Sequence, residues 1–245
     1  MRPGGRVFAA MLCFVLSVLA PSNTTCLASS STLSQSSAIM QLSATVDDTS
    51  TQTRLARGEV VVDLVEEGET KFVVGKVVIK QPPEVIWPTL VNPFEFQGTI
   101  CPRMKSVDVL VDQPDTSVLR YGMNICFPFP SVSYTVESKY AAVEAIEFRR
   151  MTGFMRDFRG CWLLRRLDGG ATEVMYSVYV DPGIPLPRWI IREAVKNELP
   201  RILVGLRTRV NDLASSTATA RDKTLMCATG AHAKTIHPLV AESKR

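Results

Sequence analysis

Histidine is nearly absent from this 245-residue chain: there are two, His232 and His237, both close to the end. The stretch with strand and helix patterning has none. That removes the imidazole from any Ser–His or Cys–His nucleophile pair there, and from any metal site, which excludes most hydrolase and metalloenzyme chemistries. The six cysteines (Cys13, Cys26, Cys101, Cys126, Cys161 and Cys227) are widely spaced and include no CxxC pair. Neither a disulfide framework nor a zinc site is expected from them, and buried free thiols are. No G-x-x-x-x-G-K-[ST] or G-x-G-x-x-G stretch is available to cradle a phosphate, so no cofactor is expected. No unit of 20–50 residues recurs, which excludes solenoids and propellers. The chain also lacks an apolar run of membrane length. Its longest, Val7 to Ala20 interrupted by Ser17, has fourteen residues, where a spanning helix needs about 20.

Acidic residues are missing before Asp47, and residues 22–53 are half Ser or Thr. Arg2 and Arg6, then the short apolar run, then Cys26-Leu27-Ala28 predict a secretory signal over residues 1–28, cleaved before Ser29. The same lack of acid fits a plastid transit peptide, which stays as the alternative. Asn23-Thr24-Thr25 has the glycosylation pattern but leaves with the signal. Residues 29–53 hold too little apolar content to build a core and read as a disordered linker. The small, polar tail over 215–245 reads as disordered too. One domain over 54–214 remains. With 46% apolar and 21% charged residues the whole chain has the composition of a soluble globular protein. The net charge of +4 permits attraction to an anionic surface without requiring nucleic acid.

Within the domain, Glu59–Val65 and Phe72–Ile79 are Val-rich and separated by Glu-Glu-Gly, a hairpin pattern. Pro82-Pro83 then breaks the strand. Glu84 suits a first helical turn, Val85, Ile86, Trp87, Leu90 and Val91 supply an apolar side, and the prolines at 88, 93 and 102 keep that helix short. From Lys105 to Asp181 apolar residues recur with period two. Strands are expected over 105–112, 117–127, 131–140, 142–151, 158–167 and 172–181, with connections short enough for antiparallel neighbours. The last element, Pro187 to Leu213, has Ile191, Val195, Leu199, Ile202, Leu206, Val210 and Leu213 at steps of three or four, one face of a helix. Arg192, Lys196, Arg201, Arg207 and Arg209 mark the opposite face, and Pro200 in the middle predicts a kink.

Gly75-Lys76-Val77-Val78-Ile79 followed by Pro83-Glu84-Val85-Ile86-Trp87 resembles the opening strand and "P-x-x-V-W" helix of the START-like superfamily. Pro102 and Val107, Gly160 to Leu164, Thr172 to Tyr176, and Leu199-Pro200 with Leu206-Arg207 extend the likeness over roughly residues 58–213. The branch it is most similar to is that of coenzyme Q-binding proteins and polyketide cyclase/dehydrases. The resemblance implies an α+β helix-grip fold, a curved antiparallel sheet wrapped around a long C-terminal helix. It also implies a hydrophobic ligand, a lipid, quinone or polyketide, held between the two.

A helix about 10 Å wide rarely fills a broad concave sheet, and walls of Met and aromatic residues adapt to greasy ligands. The expected ligand-binding residues are Tyr121, Met123, Ile125, Tyr134, Phe148, Trp162, Leu164 and Tyr176 on strands. Val195, Leu199, Ile202 and Leu206 add the helix wall. The loop from Phe94 to Pro102 and the Pro182–Pro187 run form the expected opening. Carriage of a hydrophobic molecule is the leading reading, and a polyketide cyclase or dehydratase using Tyr or Asp as acid is the alternative. Asp157 and Asp181 qualify as acids only by elimination. Arg149, Arg150, Arg156, Arg159, Arg165 and Arg166 crowd into 18 residues near Phe154 and Met155. A solvated strand face is the plain reading of that cluster. An anionic membrane partner met through Arg149, Arg150, Arg165 and Arg166 is the functional one. No nucleic-acid reader motif occurs.

Overall fold

Residues 49–68, 70–124, 131–183 and 188–232 are described by the computed structural model. The targeting segment read at 1–28, residues 29–48 and Ile125 lie outside them. Helix α1 (Thr49–Ala56) leads into a hairpin of β1 (Val61–Glu67) and β2 (Thr70–Ile79). Two short helices follow, α2 (Pro83–Val91) and α3 (Pro93–Phe96), and then six strands. These are β3 (Met104–Asp112), β4 (Thr116–Met123), β5 (Val132–Ala141), β6 (Ala145–Gly153), β7 (Asp157–Arg166) and β8 (Thr172–Asp181). Helix α4 (Arg188–His232) closes the described structure. The strands make one antiparallel sheet in the order β1-β2-β8-β7-β6-β5-β4-β3. Its register brings the opening hairpin onto the last strand, Gly75 opposite Tyr176 and Ile79 opposite Thr172. This is the helix-grip arrangement: a meander of six strands returns to the first hairpin, and the final helix lies against the concave side.

Local chemistry explains the short elements. Pro83 occupies the first turn of α2, where its missing N–H costs nothing, and Glu84 sits in the same turn. Asn92 ends α2 and caps α3 by accepting a hydrogen bond from the Phe94 N–H at 3.1 Å. Gly169 and Gly170 supply two positive φ angles in the tight turn between β7 and β8.

The inner face of the sheet carries the main core. Val73, Val77 and Ile79 of β2 and Val174, Tyr176 and Val178 of β8 pack with Ile86 and Leu90 of α2 and Leu199, Leu203, Leu206 and Val210 of α4. The helix approaches β2 so closely that a Cβ on Gly75 would lie 2.7 Å from both Leu199 Cδ2 and Leu203 Cδ1. Arginines on its polar side act as clasps. Arg209 makes a two-pronged ion pair with Glu95 at 2.6 and 3.1 Å, and Arg207 donates to the Gly58 carbonyl at 2.8 Å. These residues, on the face opposite the apolar one, tie α4 to α3 and to the α1–β1 turn.

At both of its limits the described chain differs from expectation. Helix α1 already runs from Thr49, with Thr51 and Leu55 buried, upstream of the expected start near Arg54. The stretch after 214, read as disordered, continues as helix to His232, and residues 233–245 lie outside the described chain. Small polar residues argue against a core but not against a helix. Ser215, Ser216 and Thr217 return their hydroxyls to the carbonyls four residues earlier at 2.8–2.9 Å, satisfying themselves within the helix.

Candidate binding cavity

Helix α4 packs against β1, β2 and β8, on one side of the sheet. The other half curves away from it. Between them lies a cavity of about 390 Å³, roofed by α2, α3 and α4 and floored by the inner faces of β4 to β8. Period two explains which side chains reach it. Along β5 every second residue from Tyr134 through Val136 and Ser138 to Tyr140 lines the space. On β4 the same alternation supplies Leu119, Tyr121 and Met123.

Aromatic rings dominate the floor. Trp162 and Tyr176 are neighbours across β7 and β8 and stack at 4.0 Å with an interplanar angle of 8°. Phe158 touches both Phe148, at 5.1 Å, and Tyr134, at 5.4 Å, and Tyr134 meets Tyr121 at 5.6 Å. Gly160 makes room for this packing. A Cβ there would lie 2.0 Å from the Ser177 carbonyl oxygen and 2.8 Å from Phe148 Cζ.

The polar groups in the interior are few and mostly hydroxyls. Tyr134 donates to Met123 Sδ at 3.2 Å, and Tyr140 shares a 2.5 Å hydrogen bond with Ser117. The Tyr121 and Tyr176 hydroxyls have no hydrogen-bond partner among the described residues, although both residues line the cavity. Burial pushes the hydroxyls of Tyr121, Tyr134 and Tyr176 well above the ordinary tyrosine value. They are therefore neutral donors at physiological pH, unsuited to act as bases or nucleophiles. Cys101 also lines the space, with its thiol raised by burial. Among the described residues no three His, Cys, Asp or Glu come close enough to hold a metal ion.

The cavity reaches the surface at one end. The end of β4, the start of β5, the β6–β7 turn and the end of β8 all lie there, because the strands are antiparallel. Phe154, Met155 and Pro182 line that end, together with Arg103, whose guanidinium pairs with Glu198 of α4 at 2.9 Å. Pro182 of the expected opening lies there, while residues 184–187 of that run are outside the described chain; α3 contributes Pro93 and Phe96, and the α3–β3 loop contributes Cys101.

Of the residues expected to bind ligand, Tyr121, Met123, Tyr134, Phe148, Trp162, Tyr176, Val195, Leu199 and Ile202 line the cavity. Leu164 and Leu206 do not. Both face inward, but they lie past the point where the helix closes on the sheet, and they fill solid core. Sequence reasoning placed Phe96 only in the expected opening and missed the roof residue Leu90, as well as Ser138 and Tyr140. The last two continue a strand alternation that was already legible. Nothing local marks Leu90, which shares one apolar side with the wholly core Ile86.

The arginine cluster is divided by the sheet. Arg149 pairs with Glu137 at 2.5 Å and Arg165 with Glu173 at 3.0 Å, while Arg166 pairs with Glu84 of α2. Arg165 lies eight residues along β7 from Asp157, roughly 26 Å at strand rise, and so far from Phe154. Arg150 donates to the Gly153 carbonyl at 2.9 Å and is the member of the four beside the mouth.

Residues 79–207 match the profile of the family described as polyketide cyclase/dehydrase and lipid transport, which is more than half of the chain. The chain belongs to that family. Solved structures agree on the fold. A STAR-related lipid transfer protein from Xanthomonas axonopodis superposes with a TM-score of 0.51 at 17% identity, covering 62% of this chain and 92% of its own. An aromatase/cyclase from Streptomyces sp. R1128 gives 0.50 at 16% identity, covering 57% and 93%. A START superfamily protein from Mycobacterium smegmatis gives 0.50 at 19% identity, covering 58% and 98%. No curated protein matches the chain in sequence. The family match does not single out the coenzyme Q-binding branch.

Proposed function

We propose that this protein binds and carries a hydrophobic small molecule that bears at least one hydrogen-bond-accepting oxygen. The observation that carries the reading is the cavity itself: apolar and aromatic walls with two tyrosine hydroxyls, on Tyr121 and Tyr176, that have no hydrogen-bond partner among the described residues. Apolar burial at about 25 cal/mol per Å² would supply most of the affinity. The hydroxyls would fix orientation, since a buried donor left unmatched costs about 1–3 kcal/mol. A carbonyl-bearing polyketide, an oxygenated lipid or a quinone head meets that requirement. At about 390 Å³ the space is near the lower end of ordinary ligand pockets, about 300–1,000 Å³, so a long prenyl tail would have to leave through the mouth.

The test is to purify the full chain, extract it with organic solvent and identify what is released by mass spectrometry. Titration with quinone and fatty-acyl probes would follow, read by quenching of Trp162. We expect a bound oxygenated hydrophobe and saturable quenching. Nothing recovered and no quenching by any probe would remove the reading. Conversion of a linear polyketide mimic during the titration would establish the cyclase or dehydratase alternative instead.

Two peripheral elements belong to the same proposal. A secretory signal over residues 1–28 predicts a mature protein starting at Ser29, which N-terminal sequencing would read. Contact with an anionic membrane is proposed for the mouth end, where Arg150 and Arg156 flank Phe154. Arg150→Glu with Arg156→Glu should then weaken binding to phosphatidylserine vesicles, while Arg165→Glu with Arg166→Glu should not.

A further inference from the structure

The polar lining of the cavity is sorted by depth. Among the described residues that line it, Arg103, Asn124 and Glu198 alone are charged or carry an amide. All three stand at the mouth. The Asn124 N–H donates to the Arg103 carbonyl at 3.0 Å, which holds the two side by side where β4 ends. Arg103 reaches Glu198 of α4 at 2.9 Å, and Arg201 meets the same carboxylate oxygen at 3.3 Å. Two guanidinium groups thus share one carboxylate. Arg150 and Arg156 lie at the same end, the latter 3.7 Å from Asp181. Among these groups positive charge is in excess. The other polar groups of the lining are hydroxyls and the Cys101 thiol. Tyr121 comes three residues before Asn124 and Tyr176 five before Asp181. At strand rise those spacings put the two hydroxyl-bearing residues roughly 10 and 17 Å inside the mouth.

We propose that the ligand is an acidic amphiphile, a fatty-acid-like chain with a mid-chain hydroxyl or oxo group, whose carboxylate is held at the mouth by Arg103 and Asn124. This rests on the carrier reading above and narrows its ligand class. A guanidinium presents five N–H donors in a planar fork, so the ligand's carboxylate can share it with Glu198, and the Asn124 carboxamide adds a donor of its own. The Arg103 side chain is 48% exposed, so an acid paired there keeps part of its water. Pushed to the aromatic floor, the same charge would lose that water and meet only neutral donors. The chain then runs inward between the aromatic floor and the aliphatic wall of α4. An oxygen part-way along it reaches the Tyr121 or Tyr176 hydroxyl. A neutral ligand would use the tyrosines and leave the donors at the mouth without a role.

The test titrates the full chain with ricinoleic acid, its methyl ester and oleic acid, each below its micelle concentration, and reads quenching of tryptophan emission. Ricinoleic acid should bind about tenfold tighter than its ester, and about three- to tenfold tighter than oleic acid, which lacks the hydroxyl. Arg103→Gln should bring the acid-to-ester ratio close to one. Arg166→Gln removes the same charge beside Glu84, away from the mouth, and should leave the ratio intact. Equal affinity for acid and ester in the native chain overturns the proposal while the carrier reading stands. A ratio that survives Arg103→Gln, or falls equally in both variants, overturns it as well. Oleic acid binding as tightly as ricinoleic acid removes the mid-chain oxygen and has the same consequence. If none of the three binds, the proposal fails, and the solvent extract judges the carrier reading by itself. If Arg103→Gln loses the ester too, added sodium chloride decides on the native chain. Screening should weaken binding of the acid more than of the ester, and an equal effect on both overturns the proposal.

Discussion

Val143 is the one described residue other than glycine with a positive φ, 65°, in the turn between β5 and β6. A β-branched side chain in the left-handed region is strained by about 1–2 kcal/mol. Val143→Gly should therefore raise stability by about 1 kcal/mol, read as a higher denaturant midpoint, with ligand uptake unchanged. Gly160 predicts the reverse. Its missing Cβ would strike backbone, the Ser177 carbonyl, which cannot swing away as a side chain can. Gly160→Ala should cost about 1–3 kcal/mol and disturb Phe148 at the cavity floor. The tyrosines give a pH signature. Burial holds Tyr121, Tyr134 and Tyr176 protonated when folded, whereas unfolded tyrosine ionises near pH 10. Their contribution to stability is then complete below about pH 10 and is lost as pH rises through the higher folded values. Ligand affinity should be flat from pH 6 to 9, and Tyr121→Phe or Tyr176→Phe should weaken an oxygenated ligand roughly three- to tenfold. Affinity that falls between pH 6 and 9 would place an ionising group in the site.

Helix α4 changes role along its length. Val195, Leu199 and Ile202 border the cavity, whereas Leu203, Leu206 and Val210 are buried in packed core. Leu206→Ala should cost about 2–5 kcal/mol of stability and leave intrinsic ligand affinity unaltered. Ile202→Ala, at the half-exposed border, should do the opposite, with a small loss of stability and a change in which ligands are retained. Denaturation and probe titration on both variants separate the two. The face pattern of this helix was fully legible, since steps of three and four recur from Ile191 to Leu213. The division of that face into wall and core was not. It depends on Gly75, where β2 lets the helix come closest, and no spacing within α4 records it. Much the same holds for β7. Phe158, Trp162 and Leu164 alternate correctly, yet only the first two meet open space.

For the molecule as a whole, antiparallel order gathers the turns after β4, β6 and β8 at one end, and with the α3–β3 loop they surround the mouth. The arginine cluster is read differently at this scale. Its members share 18 residues of sequence, but strand alternation and length send them to opposite faces and ends, most of them beside a carboxylate partner. Surface pairs of that kind contribute little to stability.

Eight strands, their near-boundaries and the closing helix followed from period-two and period-three-to-four patterning, because burial of one face is a local demand that each segment must meet by itself. Family membership was legible as a resemblance, carried by Gly75 to Trp87 and Gly160 to Leu164. Other features needed the tertiary structure: which inward residues face a cavity, which charges pair, that the helix continues past Leu213, and that the outer face is covered. Each depends on distances between segments far apart in the chain, such as Gly75 to Leu199 or Glu95 to Arg209, and a hydrophobic pattern records only that a side chain turns inward, not whether it meets another side chain or a space.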